Sequence, residues 1–281
     1  MDEVLLEVKG LSFSYDKKPV LKNISLSVRR GEKIAVMGSN GAGKSTFFLN
    51  LNGVLQAGQG EIFFNGKRAG KKERKGLQRS VGFVFQDADS QLIASNVRAE
   101  ISFGPMNMGL SKQEVAERVK EAIEYLSLSD LQDRPPHYLS GGEKKRVSIA
   151  DILAMKPEIF LIDEPMAALD PMNAEKVEQI LYRLNKEGKT LLVATHDVDF
   201  AYRFADRVLV FSDGCLIADG TPQEIFNLEE VMERAHLKKP SVMVIWEALI
   251  KARLVGGEGE YPLTSGQAAE KILELSGVFK E

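Results

Sequence analysis

The sequence predicts an α/β fold with some antiparallel strands, an inserted helical part and a helical C-terminal appendage. Three observations carry that expectation. Strand-length apolar runs alternate with capped amphipathic helices along most of the 281 residues. A Gly-rich loop joins a short buried strand to a helix at positions 38–46. A block of helical periodicity, broken at Arg134-Pro135-Pro136, separates the early strands from the later ones.

The elements follow in chain order. Residues 4–9, 24–28 and 61–64 read as strands separated by turn signals, and Lys33 to Met37 as a short buried strand. A helix begins near Gly43 and runs to about Leu55, and Val81 to Phe85 forms the next strand. Ser111-x-x-Glu114 is a capping box, followed by Val115, Val119, Ala122, Ile123 and Leu126 at helical spacing. Ser140-x-x-Glu143 caps a second helix whose apolar side holds Val147, Ile149, Ala150 and Leu153. Ile159 to Ile162 is an apolar strand. Asp170 caps a helix with Pro171 at its first position and its end at Gly188. Thr190 to Ala194 is a further strand, and Val208 to Phe211 pairs with Leu216 to Ala218 across the turn Ser212-Asp213-Gly214. Thr221-x-x-Glu224 caps another helix. Beyond it lie the stretches Leu237-Lys238-Lys239-Pro240 and 255–261, a helix between them with Trp246 and Leu249, and a last helix from Thr264-x-x-Gln267 to about Leu275.

Composition bounds the function classes. Apolar residues at 44% supply a core for one large domain or two smaller ones. A net charge of −3 argues for no nucleic-acid partner, and the basic runs Lys71-Lys72 with Arg74-Lys75 and Lys144-Lys145-Arg146 read as solvated helix faces. Cys215 is the only cysteine, which excludes an intrachain disulfide and a cysteine metal cluster and fits a reducing compartment. The opening Met1-Asp2-Glu3 has no signal-peptide character, and no run of 18 apolar residues predicts a membrane span. Attachment to a membrane protein stays open.

The chemistry concentrates in a few loops. Gly38-Ser39-Asn40-Gly41-Ala42-Gly43-Lys44-Ser45-Thr46 fits G-x-x-x-x-G-K-[ST], with the strand before and the helix after that this phosphate cradle requires. Its backbone N–H groups and the helix start favour phosphate; Lys44 would reach the terminal phosphates and Ser45 would place its hydroxyl on Mg²⁺. In Phe160-Leu161-Ile162-Asp163-Glu164-Pro165 an apolar strand ends in two carboxylates. Asp163 is placed to hold hydrated Mg²⁺, and Glu164 to orient or deprotonate the attacking water. His196 follows a strand in a polar setting with Thr195 and Asp197, where a neutral imidazole could hold water and γ-phosphate together. Gln86, also after a strand, could reach Mg²⁺ or the water, and Tyr15 could stack on adenine. His137 and His236 read as ordinary surface or core residues.

Leu139-Ser140-Gly141-Gly142-Glu143 resembles the signature motif of ATP-binding cassette transporter ATPases. Together with Gly38–Thr46, Gln86, Asp163-Glu164, Ala168-Leu169-Asp170 and His196, it completes the expected motifs in the expected order over about residues 3–220. The resemblance implies a P-loop NTPase core with an antiparallel β subdomain and an inserted helical subdomain, plus a small, mainly helical C-terminal appendage. Residues 1–221 would be the ATP-binding domain, with the insert at about 88–157, and residues 222–281 an appendage with a dimerisation role. It implies ATP and Mg²⁺ as ligands, and two ATPase subunits packed head to tail around two nucleotides. Ser140, Gly141, Gly142 and Glu143 of one subunit would face the phosphate loop of the other, and Asp170 would couple the two sites. Tyr15 would partner adenine, Gln86 would sense nucleotide and membrane partner, Glu164 would be the base and His196 its companion.

Phe85 to Ala94, Phe103 to Leu110 and Ile149 to Pro157 are similar to the ATPases of energy-coupling factor importers, in the cobalt and nickel branch and also in the vitamin branch. That likeness implies a peripheral ATPase on the cytoplasmic side of the cell membrane, with integral transmembrane and substrate-binding partners. Three positions depart from the pattern: Ser39 where proline is common, Met166 where threonine is common, and Asp151 in place of glycine. None removes a phosphate, metal or base contact. A soluble cassette role and a non-hydrolysing subunit are the competing classes; the chain lacks a long coiled-coil insertion, and Glu164 and His196 are intact.

Overall fold

In the computed structural model, which describes residues 3–70, 73–256 and 261–276, two sheets are stacked through one set of apolar side chains. The first half of the chain forms β1 (Val4–Tyr15), β2 (Lys18–Arg29), β3 (Lys33–Met37), α1 (Lys44–Leu51), β4 (Gln59–Phe64), β5 (Lys67–Arg68), α2 (Arg74–Ser80) and β6 (Val81–Val84). Then come α3 (Val97–Asn107), α4 (Lys112–Tyr125) and α5 (Gly141–Ala154). The rest is β7 (Ile159–Asp163), α6 (Pro171–Lys186), β8 (Thr190–Ala194), α7 (Val198–Phe204), β9 (Arg207–Ser212), β10 (Cys215–Gly220), α8 (Pro222–Phe226), α9 (Glu229–Ala235), α10 (Ser241–Lys251) and α11 (Ser265–Ser276). Of the expected features, Lys71-Lys72, Met1-Asp2 and positions 257–260 of the stretch after α10 lie outside the described residues.

A four-stranded antiparallel sheet has the order β2-β1-β4-β5, and a six-stranded sheet has the order β10-β9-β3-β8-β7-β6. Within the larger sheet β6, β7, β8, β3 and β9 run parallel, and β10 closes the edge antiparallel. Strand alternation sorts its side chains to two faces. Ile34, Val36, Ile159, Leu161, Leu209 and Phe211 point to the side of α1 and the antiparallel sheet. Phe160, Ile162, Leu191 and Val193 point to the helical block and α6. On that same opposite side Ala35, Met37, Val208 and Val210 pack with the helices from Pro222 onward, including Phe226, Met243 and Trp246. The C-terminal helices therefore finish the core over β3 and β9.

Several expected boundaries move. β1 and β2 are each 12 residues, longer than their apolar alternation, because backbone pairing carries on through Tyr15 and Lys18 after the buried face has ended. The helix expected to reach Leu55 stops at Leu51, with Asn52 donating to the Val81 carbonyl and Gly53 turning the chain at φ 78°. The last strand before the helical block ends at Val84 rather than Phe85, whose N–H goes to Gln91 Oε1 (3.1 Å). Helices α2, α3, α7 and α9 have no counterpart in the sequence reading. α2, α7 and α9 are only seven residues long, so tertiary packing rather than periodicity holds them. α3 carries Pro105, which masks it as a helix, yet Asn96 caps it by accepting from Ala99 N at 2.8 Å. Of the two early boxes, Ser140–Glu143 closes on both sides.

The junction of β6 with α5 leaves no room for a side chain at Gly82. A Cβ there would lie 2.2 Å from Ile152 Cγ2 and 3.1 Å from Pro157 Cγ. Gly82→Ala is expected to destabilise the chain by about 1–3 kcal/mol in urea unfolding, the cost of overpacking. Gly76→Ala in α2, where a Cβ meets nothing within 4 Å, should be neutral or stabilising by up to about 1 kcal/mol in the same assay.

Candidate nucleotide site

β3 ends at Met37 in the middle of the sheet, and the loop that follows must reverse tightly to enter α1. Gly38 makes the reversal possible: it sits at φ 136°, and a Cβ would fall 2.1 Å from the Phe211 carbonyl oxygen. Gly43, at φ 103°, leads into α1 with no side-chain cap, so the first N–H groups of the helix are left for a ligand in the cavity. Lys44 opens α1 and is buried; its Nζ donates to the carbonyls of Gly38 (2.7 Å) and Ser39 (3.1 Å). Burial lowers the pKa of this ammonium, and the charges of Glu164 and Asp163 oppose that shift.

The ends of β7 and β8 bring the acidic and imidazole groups to the same loop. Ser45 Oγ donates to Asp163 Oδ2 in a short hydrogen bond. Glu164, also buried, holds φ 44°, a left-handed conformation costly for a side-chain-bearing residue. Its N–H donates to Ala194 O at 2.9 Å, which ties the turn to β8. His196 Nδ1 lies 2.9 Å from Glu164 Oε2; a carboxylate only accepts, so Nδ1 carries the proton. The neighbours read as a polar setting for His196 serve the backbone instead. Thr195 Oγ1 accepts from Asp197 N (3.1 Å), and Asp197 caps α7 by accepting from Phe200 N (2.9 Å).

These groups surround one cavity of about 890 Å³. Ser39, Asn40, Gly41, Gly43, Lys44, Ser45 and Thr46 line it from the loop and α1. Gln86, Asp163, Glu164 and His196 line it from the ends of β6, β7 and β8. Ala42 is buried behind the loop. Tyr15 does not line the cavity: it is 46% exposed at the end of β1, edge-on to Phe13 at 4.9 Å. Ser140, Gly141, Gly142 and Glu143 also lie outside it, at the start of α5. There Ser140 N donates to Glu143 Oε2 (2.7 Å) and Glu143 N to Ser140 Oγ (3.4 Å). Asp170 caps α6 by accepting from Asn173 N at 3.0 Å, and Asn173 packs so closely on Gly142 that a Cβ there would meet its Cγ at 2.4 Å. The two helix starts are thus held side by side. Oxygen groups of Ser45, Asp163 and Gln86 suit a hard divalent cation such as Mg²⁺.

Other residues of the site escaped the sequence reading. Lys145, read as part of a solvated basic face, is buried and donates to the carbonyls of Phe85 (2.9 Å) and Gln86 (2.7 Å). Its run mates are engaged too, Lys144 with Asp89 and Arg146 with the carbonyls of Leu126 and Ser127. Only the burial of α5 against β6 reveals this; a basic triplet carries no such signal. Gln91 Nε2 donates to Ser148 O (3.0 Å) and to Asp151 Oδ2 (3.2 Å), which gives the unusual Asp151 a partner. His236, read as an ordinary residue, lines the cavity with Leu237 and Lys238.

Burial pushes Asp151 up to about 7, although the Gln91 bond favours its charged form. Between about pH 4 and pH 7 the folded chain retains a proton that the unfolded chain has released. The stability associated with that proton is present at pH 4 and is lost as pH rises through 7. Asp151→Asn keeps the acceptor for Gln91 and removes the titration. Its Tm is expected to exceed that of the unsubstituted chain by several degrees at pH 8 and to converge with it near pH 4 in thermal melts.

The geometry has counterparts among known proteins. Residues 21–167 match the ABC transporter family. An energy-coupling factor transporter ATP-binding protein, EcfA of Methanothermobacter thermautotrophicus, is 46% identical over 97% of this chain and 88% of its own length. A putative ABC transporter ATP-binding protein of Methanosarcina acetivorans is 45% identical over 96% of this chain and 83% of its own. Among solved structures, cbiO1 from Clostridium perfringens, described as part of the ABC transporter complex cbiONQ, matches with TM-score 0.74 and 39% identity over 88% of this chain and all of its own. The dimeric ATP-binding cassette MJ0796, bound to ADP and Pi in a post-hydrolysis state, matches with TM-score 0.69 and 30% identity over 78% of this chain and 99% of its own. A phosphate loop, a paired carboxylate and imidazole at neighbouring strand ends, and kinship along nearly the whole chain lead to one conclusion: this chain is an ATP-hydrolysing member of the ABC transporter family, in its energy-coupling factor ATP-binding group.

Proposed function

We propose that the chain powers uptake of cobalt or nickel ion by an energy-coupling factor importer, as a peripheral ATPase on the cytoplasmic face of the cell membrane. The observation that carries the ATPase part is the Glu164–His196 pair at 2.9 Å beside Lys44 and Ser45 in one cavity. Lys44 and the N–H groups at the start of α1 hold the terminal phosphates. Ser45, Asp163 and Gln86 would hold Mg²⁺, which would supply charge neutralisation for the phosphates. Glu164 takes the proton of the attacking water, and His196 fixes the carboxylate through Nδ1–H, leaving Nε2 to accept a hydrogen bond from water. Tyr15, exposed at the end of β1 and outside the cavity lining, is assigned to the adenine on the family resemblance alone, and Ala42 to the backbone of the cradle.

A second ATPase subunit, identical or paralogous, completes the site. Its Ser140-Gly141-Gly142-Glu143 helix start would face the triphosphate from the opposite side, and Asp170, held against that segment through Asn173, would link the two sites. The described relatives that are dimeric or part of a complex support this reading. None of the described helices is long and apolar enough to cross a membrane, and integral transmembrane and substrate-binding subunits would supply the path. Residues 1–221 are assigned to ATP binding, with the insert at 88–157, and 222–281 to an appendage that assists dimerisation. For the last, α10 leaves Val244 and Ile245 about half exposed while Val242, Met243 and Trp246 are buried. The metal substrate is proposed from the likeness of segments 85–94, 103–110 and 149–157 to the cobalt and nickel branch, a likeness shared with the vitamin branch, and vitamin uptake is the alternative reading.

Glu164→Gln should retain ATP binding, lose turnover by about 10²–10⁴-fold and accumulate a stable ATP-bound dimer in sedimentation runs; undiminished turnover would remove Glu164 as the base. Val244→Glu with Ile245→Glu should weaken self-association without lowering Tm, and an unchanged sedimentation profile would dismiss the appendage. For the solute, the intact complex purified with its membrane partners should carry cobalt or nickel by elemental analysis; a bound vitamin found by mass spectrometry would replace the metal assignment.

A further inference from the structure

We infer that the turn after α9 belongs to the nucleotide site and that Lys238 is a binding residue for the polyphosphate. This rests on reading the cavity as the ATP site. Most of the cavity is built by the loop after β3 and by the ends of β6, β7 and β8, but one wall comes from the C-terminal helices: His236, Leu237 and Lys238.

The wall is a built feature. α9 is stopped by His236 in the left-handed conformation (φ 54°, ψ 40°). His236 N donates to Glu233 O (3.1 Å) and Leu237 N to Met232 O (2.9 Å), the doubled bond of a helix stop that redirects the chain. Ser212 Oγ, at the end of β9, donates to Arg234 O at 3.2 Å. The residue before it, Phe211, carries the carbonyl against which Gly38 is packed. The turn is therefore tied, through β9, to the first residue of the phosphate loop. On its other side Lys239 Nζ is held by Asn227 Oδ1 (2.9 Å) and Glu247 Oε1 (2.7 Å), and Pro240 is buried. Leu237 packs on the apolar cluster under the appendage.

Between these anchors Lys238 is exposed, and among the described residues its ammonium has no hydrogen bond or ion pair. The charge balance of the cavity makes that cation consequential. Asp163 and Glu164 oppose Lys44 there, so a polyphosphate needs positive charge beyond Lys44 and its divalent ion. Lys238 supplies it from a segment fixed to the loop but belonging to the appendage, which links nucleotide occupancy to the C-terminal helices.

The test is affinity of the full chain for the non-hydrolysable ATP analogue AMP-PNP with Mg²⁺, measured by calorimetry at about 50 mM and about 500 mM NaCl, where screening lengths differ severalfold. At low salt Lys238→Glu should weaken binding roughly tenfold and Lys238→Gln about threefold, with Lys238→Arg within twofold of the unsubstituted chain. At high salt the Lys238→Glu gap should shrink to about twofold, a dependence that lost packing would not produce. The inference is overturned if Lys238→Glu and Lys238→Gln both bind like the unsubstituted chain at low salt, or if a loss persists undiminished at high salt. Lys44→Ala separates the two levels: loss there with intact binding in the Lys238 variants removes only Lys238, whereas undiminished binding in Lys44→Ala removes the ATP site itself.

Discussion

One buried ammonium organises the centre of this molecule. Lys44 sits at the first position of α1, enclosed by the loop it terminates, with its Nζ on the carbonyls of Gly38 and Ser39. Two buried carboxylates, Asp163 and Glu164, offset its desolvation. That arrangement requires β3 and β7 to end at the same level of the sheet although β8 lies between them. The parallel register supplies this, pairing Val36 with Ala194 and Asp163 with Ala194. Parallel strands inside a sheet end together on one edge, so residues far apart in sequence meet there.

The strain at the site is placed where that edge needs it. Glu164 takes a left-handed backbone and its N–H is held by Ala194. This turns the carboxylate towards His196 instead of continuing the strand direction. The turn's cost of roughly 1–3 kcal/mol is offset by the surrounding sheet, to which the Glu164 N–H is tied through Ala194 O.

The helical block is connected to this edge by polar contacts as well as by apolar packing. α5 carries both the Ser140–Glu143 helix start and Lys145, whose ammonium grips the carbonyls of Phe85 and Gln86. Burial lowers that ammonium to about 8 against the opposing charges of Asp163, Asp87 and Glu164, so it stays largely charged near neutrality. Gln91 adds a second tie by bridging Phe85 N, Ser148 O and Asp151. Movement of α5 therefore acts directly on the segment that presents Gln86 to the cavity.

Motifs whose chemistry is local were legible in the sequence: Gly38–Thr46, because a glycine loop between strand and helix has one efficient use; Asp163-Glu164, because an apolar strand ends on them; and the caps at Ser140, Asp170 and Thr221, because side chain and N–H lie three residues apart. The kind of fold and the family resemblance followed from these. What only the tertiary structure decided depends on contacts between distant segments. Lys145 looked like a surface charge until α5 was laid against β6, His236 and Lys238 reached the cavity only when α9 was docked on β9, and Tyr15 stayed outside it. Helix-cap and glycine-loop energetics act within a few residues and can be read along the chain. Burial and long-range hydrogen bonding are set by which faces the sheet brings together, and sequence spacing carries no measure of that distance.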